Sequence, residues 1–295
     1  MAPWQRRPSR YSRAGERRDP ISAIRRHPII TFFVLAYAIS WVGWPLYAAG
    51  VWPIPFLASG PLLAALIVIP ITQGRSGLRE LGSRMIRWRV RWYWYAVALG
   101  LPLAVELVSV ALNVAFGASA PSLAQVGPFT ILMVFAVRLI DPLDGPLGEE
   151  PGWRGFALPG LQASRAPLVA TLILAVLVVI WHVPLFFIEE GGLQPSVILG
   201  GVLGPFAFTF VATWLFNHTG GSVLMTLVMH AAEGTIRPND LWAAGAAQEQ
   251  AGLLYSVVWC AVAIGLVIFD RQLWRGPAPA RATVQPAYGG ESRVR

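Results

Sequence analysis

The chain has 295 residues, of which 55% are hydrophobic and only 13% are charged, and its mean hydropathy is +0.56. Soluble domains carry about a quarter charged residues, so this composition excludes an ordinary soluble domain and predicts a polytopic membrane protein. The net charge is +8, but the arginines cluster in the two tails and one short loop, so they give no reason to expect nucleic acid as a partner. The single cysteine, Cys260, excludes an intramolecular disulfide and a cysteine-based zinc cluster.

Apolar stretches of roughly 20 residues predict an all-α fold of about eight transmembrane helices. They lie near residues 28–50, 53–73, 92–116, 127–148, 167–188, 195–216, 222–236 and 251–270. The seventh stretch is short and begins with glycines, so we expect it to start inside the membrane or to be tilted. Because arginine is concentrated in segments on one side, we expect a multi-pass protein of the cell membrane with both termini in the cytoplasm.

Three regions are predicted along the chain. Residues 1–26 form an Arg-rich cytoplasmic tail and residues 276–295 form a C-terminal tail, and both are expected to be disordered because neither can bury enough apolar surface to fold alone. Residues 27–275 form one transmembrane helical domain. No convincing internal repeat is visible in it, so the sequence gives no support to a transporter built from inverted repeats.

Two adjacent carboxylates, Glu149 and Glu150, stand at the edge of an apolar segment in GPLGEEPGWRG. An ionisable group at membrane depth costs about 2.5 kcal/mol or more unless it is paired or wetted, so the two acids indicate a functional site. Arg154 lies four residues after Glu150 and can hold it ionised on a helix. On such a helix the side chain of Glu149 points about 100° away from that of Glu150, so it can face a cavity. Pro151 and Gly152 also predict a kink in this helix.

Two histidines lie deep in other apolar runs, His182 in VVIWHVPLFF and His230 in MTLVMHAAEG. Taken alone, a histidine on an apolar face is most often a structural hydrogen-bond donor. Two histidines and a carboxylate pair on three different spans form a set that can bind and activate a water, either by general base catalysis or through zinc. The HExxH spacing is absent, so no local motif certifies zinc.

Other polar residues near these segments are expected to serve the structure. Arg138 and Asp141 are three residues apart and predict an ion pair near the interface. Ser222, at the end of NHTGGS, is suited to cap the helix that follows. His218, in the same stretch, is expected at the aqueous interface.

These motifs resemble those of the CPBP intramembrane proteases, also called the CAAX-protease and bacteriocin-processing (Abi) family. EEPGWRG fits the family signature EExxxR, and WHVPLF and NHTGGS with MHAA look like its second and third motifs. The resemblance implies about eight helical spans around a cavity, in which Glu149 activates the attacking water, His182 helps to hold it and His230 stabilises the oxyanion. It also implies that Glu150 and Arg154 form a supporting pair.

The resemblance covers residues 125–240 and leaves the metal open. The family has been described both as metalloproteases and as glutamate-dependent proteases. Under the first description Glu149, His182 and His230 would be ligands of Zn²⁺, and under the second the site would be independent of metal.

Two positions depart from the family pattern. Val178 stands where the second motif often has Phe, and this change is expected to affect packing only. Gly234 stands where the third motif usually has Asn or Asp, and loss of an oxyanion donor can cost about 10²–10³ in rate. Three nearby residues are candidates to replace the missing donor: Glu233, Thr235 and Asn239.

Three functions are compatible with these observations, and the leading hypothesis is an intramembrane endopeptidase. It would hydrolyse a peptide bond in a membrane-associated peptide or protein substrate within the lipid bilayer. If Gly234 disables the site, the chain is a catalytically impaired member that acts as a membrane scaffold or binding protein. A small proton-coupled transporter fits the buried acids but leaves the three ordered motifs unexplained. The sequence does not specify the substrate or whether it is prenylated.

Overall fold

The computed structural model describes residues 20–124, 126–187 and 193–276, and within these ranges the chain forms helices and no β-strand. Helices α1 to α14 follow one another as Pro20–Arg26, Pro28–Trp41, Gly43–Ala48, Gly60–Met85, Tyr93–Ala115, Pro128–Ile140, Gly145–Gly152, Leu158–Gln162, Pro167–His182, Pro195–His218, Val223–Glu233, Pro238–Leu241, Ala246–Phe269 and Arg271–Arg275. A π-helical turn follows α7 at Trp153–Ala157, and a 3-10 turn follows α9 at Val183–Phe187. The prediction of an all-α polytopic membrane protein is confirmed.

Six of the described helical segments are long and apolar enough to cross a membrane. They are Pro28–Ala48, Gly60–Met85, Tyr93–Ala115, Pro167–Phe187, Pro195–His218 and Ala246–Phe269. The fourth and seventh predicted spans correspond to α6 and α11, which have 13 and 11 residues. At about 1.5 Å per residue, each is shorter than the hydrocarbon core of about 30 Å. The count of eight therefore stays a prediction for these two segments.

The predicted tails lie mostly outside the described residues, which leave out residues 1–19 and 277–295. Residues 20–26, which were predicted to belong to the disordered N-terminal tail, instead form α1. The guanidinium of Arg25 donates a hydrogen bond to the carbonyl of Ile71 in α4, at 3.1 Å. This contact ties the short helix to the helical domain.

Local sequence explains where the helices begin. Proline stands in the first turn of α2, α6, α9 and α10, where its missing N–H costs nothing and its fixed φ suits a helix. The side chain of Ser222 accepts a hydrogen bond from the N–H of Met225 at 3.3 Å, so the predicted N-cap of α11 is confirmed. The Ser222 hydroxyl also donates to the carbonyl of Arg87 at 2.7 Å, which fixes this end of α11 against the loop after α4.

The two largest buried cores are built from different sets of helices. The first core is built from α2, α4, α9 and the π-helical turn. Edge-to-face and stacked contacts among Phe32, Phe33, Trp153 and Trp181 join α2 and α9 to that turn. The second joins α5, α10, α11 and α13, which pack against one another. Helix α7, which carries the two acids, packs against α4 of the first core and against α11 of the second.

Glycine on one face of α7 allows the helix to approach the start of α4 closely. A Cβ added to Gly148 would lie 2.7 Å from the carbonyl oxygen of Ala58, and one added to Gly152 would lie 2.5 Å from backbone atoms of Pro61. Contacts this short would be steric clashes, and they involve backbone atoms that cannot easily move aside. The two glycines therefore let α7, with its two glutamates, lie deep in the helical domain.

His218 lies at the end of α10 with its side chain about one-third exposed, and its expected position at the aqueous interface stays a prediction. Its ring stacks on Trp94, and its Nε2 donates to the carboxylate of Asp270, which also accepts from Trp214 at 2.9 Å. Burial alone would raise the pKa of Asp270, but the hydrogen bonds from His218 and Trp214 outweigh it and hold that pKa below its ordinary value. Asp270 is therefore ionised at neutral pH and joins α10 to the end of α13.

Candidate active site

The two glutamates lie in the last turn and a half of α7, directly before the π-helical turn. The carboxylate of Asp144 caps α7 by accepting from the N–H of Gly145 at 2.7 Å. The helix continues through Pro151 and widens into the π-helical turn, where the sequence predicted a kink. Turns of this kind occur in helices often at functional sites, and here the wider turn absorbs the proline without breaking the chain's path.

Glu150 is fully buried and joins α7 to α11. Its Oε1 accepts hydrogen bonds from the guanidinium of Arg154 and from Nδ1 of His230, both at 2.9 Å. The ion pair expected from the four-residue spacing is therefore present. Because an ionised carboxylate only accepts, Nδ1 of His230 carries a proton and Nε2 is the ring nitrogen that stays free for other contacts.

Arg154 is buried as deeply as its partner, with 1% of its surface exposed. Its guanidinium lies over the ring of Phe208, 5.7 Å from the centroid, so the charge is held between a carboxylate and an aromatic face. A buried ion pair of this kind costs desolvation on both sides and persists only when its geometry is tightly held.

Glu149 has a different environment from its neighbour. Its Oε2 accepts a hydrogen bond from the indole N–H of Trp153 at 3.1 Å, and Trp153 is locked in the aromatic core. A Cβ built on Gly145 would lie 2.9 Å from Oε1 of Glu149 and 3.1 Å from Nε2 of His230. The free oxygen of Glu149 and the free nitrogen of His230 thus face the same small space above Gly145, which a larger residue would fill.

His182 lies at the end of α9 and is oriented by the backbone. Its Nδ1 is 2.8 Å from the carbonyl oxygen of Val178, and since a carbonyl only accepts, Nδ1 must donate. The neutral ring therefore presents the lone pair of Nε2. Trp181 packs edge-on against the ring at 4.8 Å and is itself held by Phe56, which restricts the orientation of the imidazole.

One cavity of about 380 Å³ collects these groups. Glu149, Arg154, His182 and His230 all line it, whereas Glu150 lies behind His230 and Arg154. Its far wall is formed by α10 and α13, two helices on which the sequence predicted no site residue. The structure thus brings residues of three separate segments to one cavity. Their roles in a reaction stay a prediction.

The predicted Zn²⁺ site at Glu149, His182 and His230 is not formed as a ready metal centre. Among the residues that the structure describes, no three His, Cys, Asp or Glu side chains form a group that could hold a metal ion. Two imidazoles and a carboxylate are a donor set that zinc accepts in catalytic sites, but here Glu149, His182 and His230 only share a cavity wall. The arrangement does not fit a ready zinc centre, and zinc dependence stays a prediction.

One ion pair differs from its prediction. Arg138 binds Asp144 at 2.9 Å and not Asp141. Asp141 lies just after α6 with an extended backbone, and its carboxylate accepts from the N–H of Leu143 at 2.9 Å, so it turns towards its own loop. Arg138 and Asp144 both line the cavity, which gives them a position that the spacing alone did not reveal.

Two of the three candidates for the donor missing at Gly234 are engaged elsewhere. The hydroxyl of Thr235 donates to the carbonyl of Ala231 at 2.7 Å. Glu233 lines the cavity, but its carboxylate accepts from the hydroxyl of Tyr255 at 3.0 Å and has no proton to donate when ionised. The side chain of Asn239 lies outside the described part of the chain.

Comparisons with known proteins bear on the same segment. The sequence model described as Rce1-like, type II CAAX prenyl endopeptidase, matches residues 128–235. These residues include both glutamates, Arg154 and both cavity histidines. A protein of Methanococcus maripaludis called CAAX prenyl protease 2 is 23% identical over 227 residues, which cover 71% of this chain and 83% of that protein.

Proposed function

Since the chain belongs to the CPBP intramembrane protease family, we propose that it is an endopeptidase that hydrolyses a peptide bond in a membrane-associated substrate by means of a water activated by glutamate and histidine. Membership of the family supports a membrane protease. The observation that carries the proposed mechanism is the single cavity onto which Glu149, His182 and His230 open.

Glu149 is the general base in this proposal. With Oε2 engaged by Trp153, Oε1 is free to take a proton from water, and Nε2 of His182 accepts the second hydrogen bond that orients the same water. The water oxygen forms a bond to the carbonyl carbon, and one of its protons passes to Glu149. When the C–N bond breaks, that proton passes on to the leaving amine.

His230 stabilises the oxyanion that forms when water attacks. With Nδ1 donating to Glu150, an N–H at Nε2 requires the imidazolium form, and the local charges favour it. Two carboxylates, Glu149 and Glu150, face one guanidinium, Arg154, so a charged His230 makes this group of four neutral. A fixed donor in a cavity poor in water stabilises a developing charge more strongly than the same donor in solution.

The geometry supports a mechanism in which the water needs no metal. The alternative is a Zn²⁺ held by Glu149, His182 and His230, which would lower the proton affinity of its bound water and polarise the carbonyl. That centre would need the three side chains to come closer together than they lie here.

The first test is cleavage by the reconstituted wild-type protein, with and without a chelator. We expect a membrane-anchored peptide to be cut and the rate to be unchanged after exhaustive treatment with EDTA or 1,10-phenanthroline. A lost rate that Zn²⁺ restores would replace the metal-free mechanism with the zinc alternative. A wild-type protein that cuts none of a library of lipidated and unlipidated membrane peptides would overturn the protease and favour the scaffold that Gly234 suggests.

The proposal also places the protein in the cell membrane as a multi-pass chain with both termini cytoplasmic. The arginine distribution supports this orientation. The substrate class remains membrane peptides and proteins in general, because the cavity residues that carry the mechanism act on the peptide bond and not on a lipid group.

A further inference from the structure

Arg138 is a buried cation in the candidate active site that the proposed mechanism does not use. It lies in the last turn of α6, is 8% exposed and lines the same cavity as Glu149 and His230. One of its terminal nitrogens binds Asp144, but its Nε is buried without a hydrogen-bond partner among the described residues. A buried N–H without a hydrogen-bond partner is destabilising, so a group that accepts from it would be bound favourably.

The position of this guanidinium coincides with the position of a missing side chain. A Cβ built on Gly234 would overlap the guanidinium of Arg138, so Arg138 fills the volume that any side chain at position 234 would enter. Gly234 has a negative φ of −95°, so its backbone does not itself demand glycine. The three atoms nearest to the added Cβ all belong to the Arg138 side chain, so a larger residue at position 234 would have to displace that guanidinium.

That volume lies beside His230. Gly234 follows His230 by four residues at the end of α11, and residues four apart on a helix share one face. The guanidinium therefore stands one helical turn from the imidazole and on the same side, where the cavity opens. A reacting carbonyl that accepts from Nε2 of His230 comes within reach of a second donor at this point.

We propose that Arg138 is the second oxyanion donor of this enzyme and takes the place of the side chain absent at position 234. The proposal rests on the endopeptidase function and deepens it by naming one more catalytic residue. A guanidinium has five N–H donors in a planar fork, so it can keep its ion pair with Asp144 and still donate to the tetrahedral oxygen. Its charge makes the hydrogen bond to an oxyanion stronger than a bond from a neutral amide.

The principal variant is Arg138→Ala, tested on the peptide that the wild-type protein cleaves. Loss of one oxyanion donor lowers kcat by about 10²–10³, and we expect KM to change little because the bond forms mainly in the transition state. Arg138→Met keeps the apolar volume and removes every donor, so it repeats the test if the alanine variant does not fold. A kcat for either folded variant close to that of the wild type would overturn the proposal.

A rescue experiment separates this role from a structural one. Gly234→Asn alone places its side chain against Arg138 and is expected to lower activity and the melting temperature. In the double variant Arg138→Ala/Gly234→Asn the volume is free, and the amide restores kcat by about tenfold or more over Arg138→Ala. An amide at position 234 leaves the ion pair with Asp144 broken, so a merely structural role for Arg138 gives no rescue, and that result would count against the proposal.

Asp144→Asn is the matched control. Asparagine still caps α7 but no longer carries the charge that pairs with Arg138. If Arg138 acts on the oxyanion, this variant loses clearly less in kcat than Arg138→Ala, because the guanidinium keeps its N–H donors when its partner loses its charge. A loss as large as that of Arg138→Ala would show that Arg138 serves only to hold Asp144. If Arg138→Ala cleaves the peptide as fast as the wild type does, this inference is overturned, while the proposed protease function still stands.

Discussion

Glu149→Gln is expected to abolish peptide cleavage and to leave the protein folded. Glutamine keeps the size of the side chain and can still accept the hydrogen bond from Trp153, but it cannot take a proton from water at neutral pH. General base catalysis contributes about 10²–10⁴ in rate, so the loss should reach the detection limit of most assays. The measurement is the cleavage rate of reconstituted protein beside its thermal unfolding profile.

Glu233→Gln is the matched control for that change. Glu233 lines the same cavity, but its carboxylate accepts from the hydroxyl of Tyr255, and an amide oxygen can accept the same bond. We expect this variant to keep most of its activity. Equal losses in the two variants would mean that any lost charge in the cavity impairs cleavage, and unchanged cleavage by Glu149→Gln would rule out Glu149 as the general base.

Arg154→Ala is expected to lower stability as well as activity. It removes the guanidinium that pairs with the fully buried carboxylate of Glu150, and breaking a buried ion pair costs about 3–5 kcal/mol. His230 then loses its fixed orientation, so kcat falls even in the fraction that remains folded. Expression yield, the free energy of unfolding in detergent and kcat of the purified protein measure the two effects separately.

The exposed pair of Glu80 and Arg84 provides the control. It has the same four-residue spacing and the same separation of 2.9 Å as Glu150 and Arg154, but its side chains are 55% and 21% exposed. Exposed pairs contribute about 0–1 kcal/mol, so Glu80→Ala should change the free energy of unfolding little and kcat not at all. Comparable destabilisation by the two substitutions would contradict the assignment of Glu150 and Arg154 as a buried supporting pair.

Much of the fold was predictable from the sequence because membrane helices carry strong local signals. Six of the eight predicted apolar stretches correspond to helices long enough to span, and prolines and the Ser222 cap mark several starts. Helix ends are harder to predict, because hydropathy does not register a turn within an apolar run. The fourth stretch is therefore split at Asp141 into α6 and α7.

The site was predictable where spacing along one helix determines contact. Arg154 follows Glu150 by four residues and binds it, and Trp153 follows Glu149 by the same interval, so its hydrogen bond could have been found in the same way. Contacts between different helices could not be predicted in this way. The bond from His230 to Glu150 joins residues 80 apart in sequence, and nothing local indicates it.

Arg138 illustrates the same limit. Its three-residue spacing to Asp141 suggested a local pair, but the end of α6 turns that carboxylate away and presents Asp144 in its place. Its overlap with the missing side chain at Gly234 depends on how α6 packs against α11, which the one-dimensional pattern does not contain.

The central claim is that Glu149 and His182 hold one and the same water, and a double-mutant cycle on kcat tests it most directly. The wild type, Glu149→Gln, His182→Ala and the double variant are compared on one peptide in single-turnover reactions. If both residues act on one water, the double variant loses no more kcat than the more damaging single variant does. The reason is that once one of the two residues is replaced, the other no longer has a positioned water to act on. If the two losses multiply, Glu149 and His182 act in independent steps, and the shared-water mechanism is contradicted.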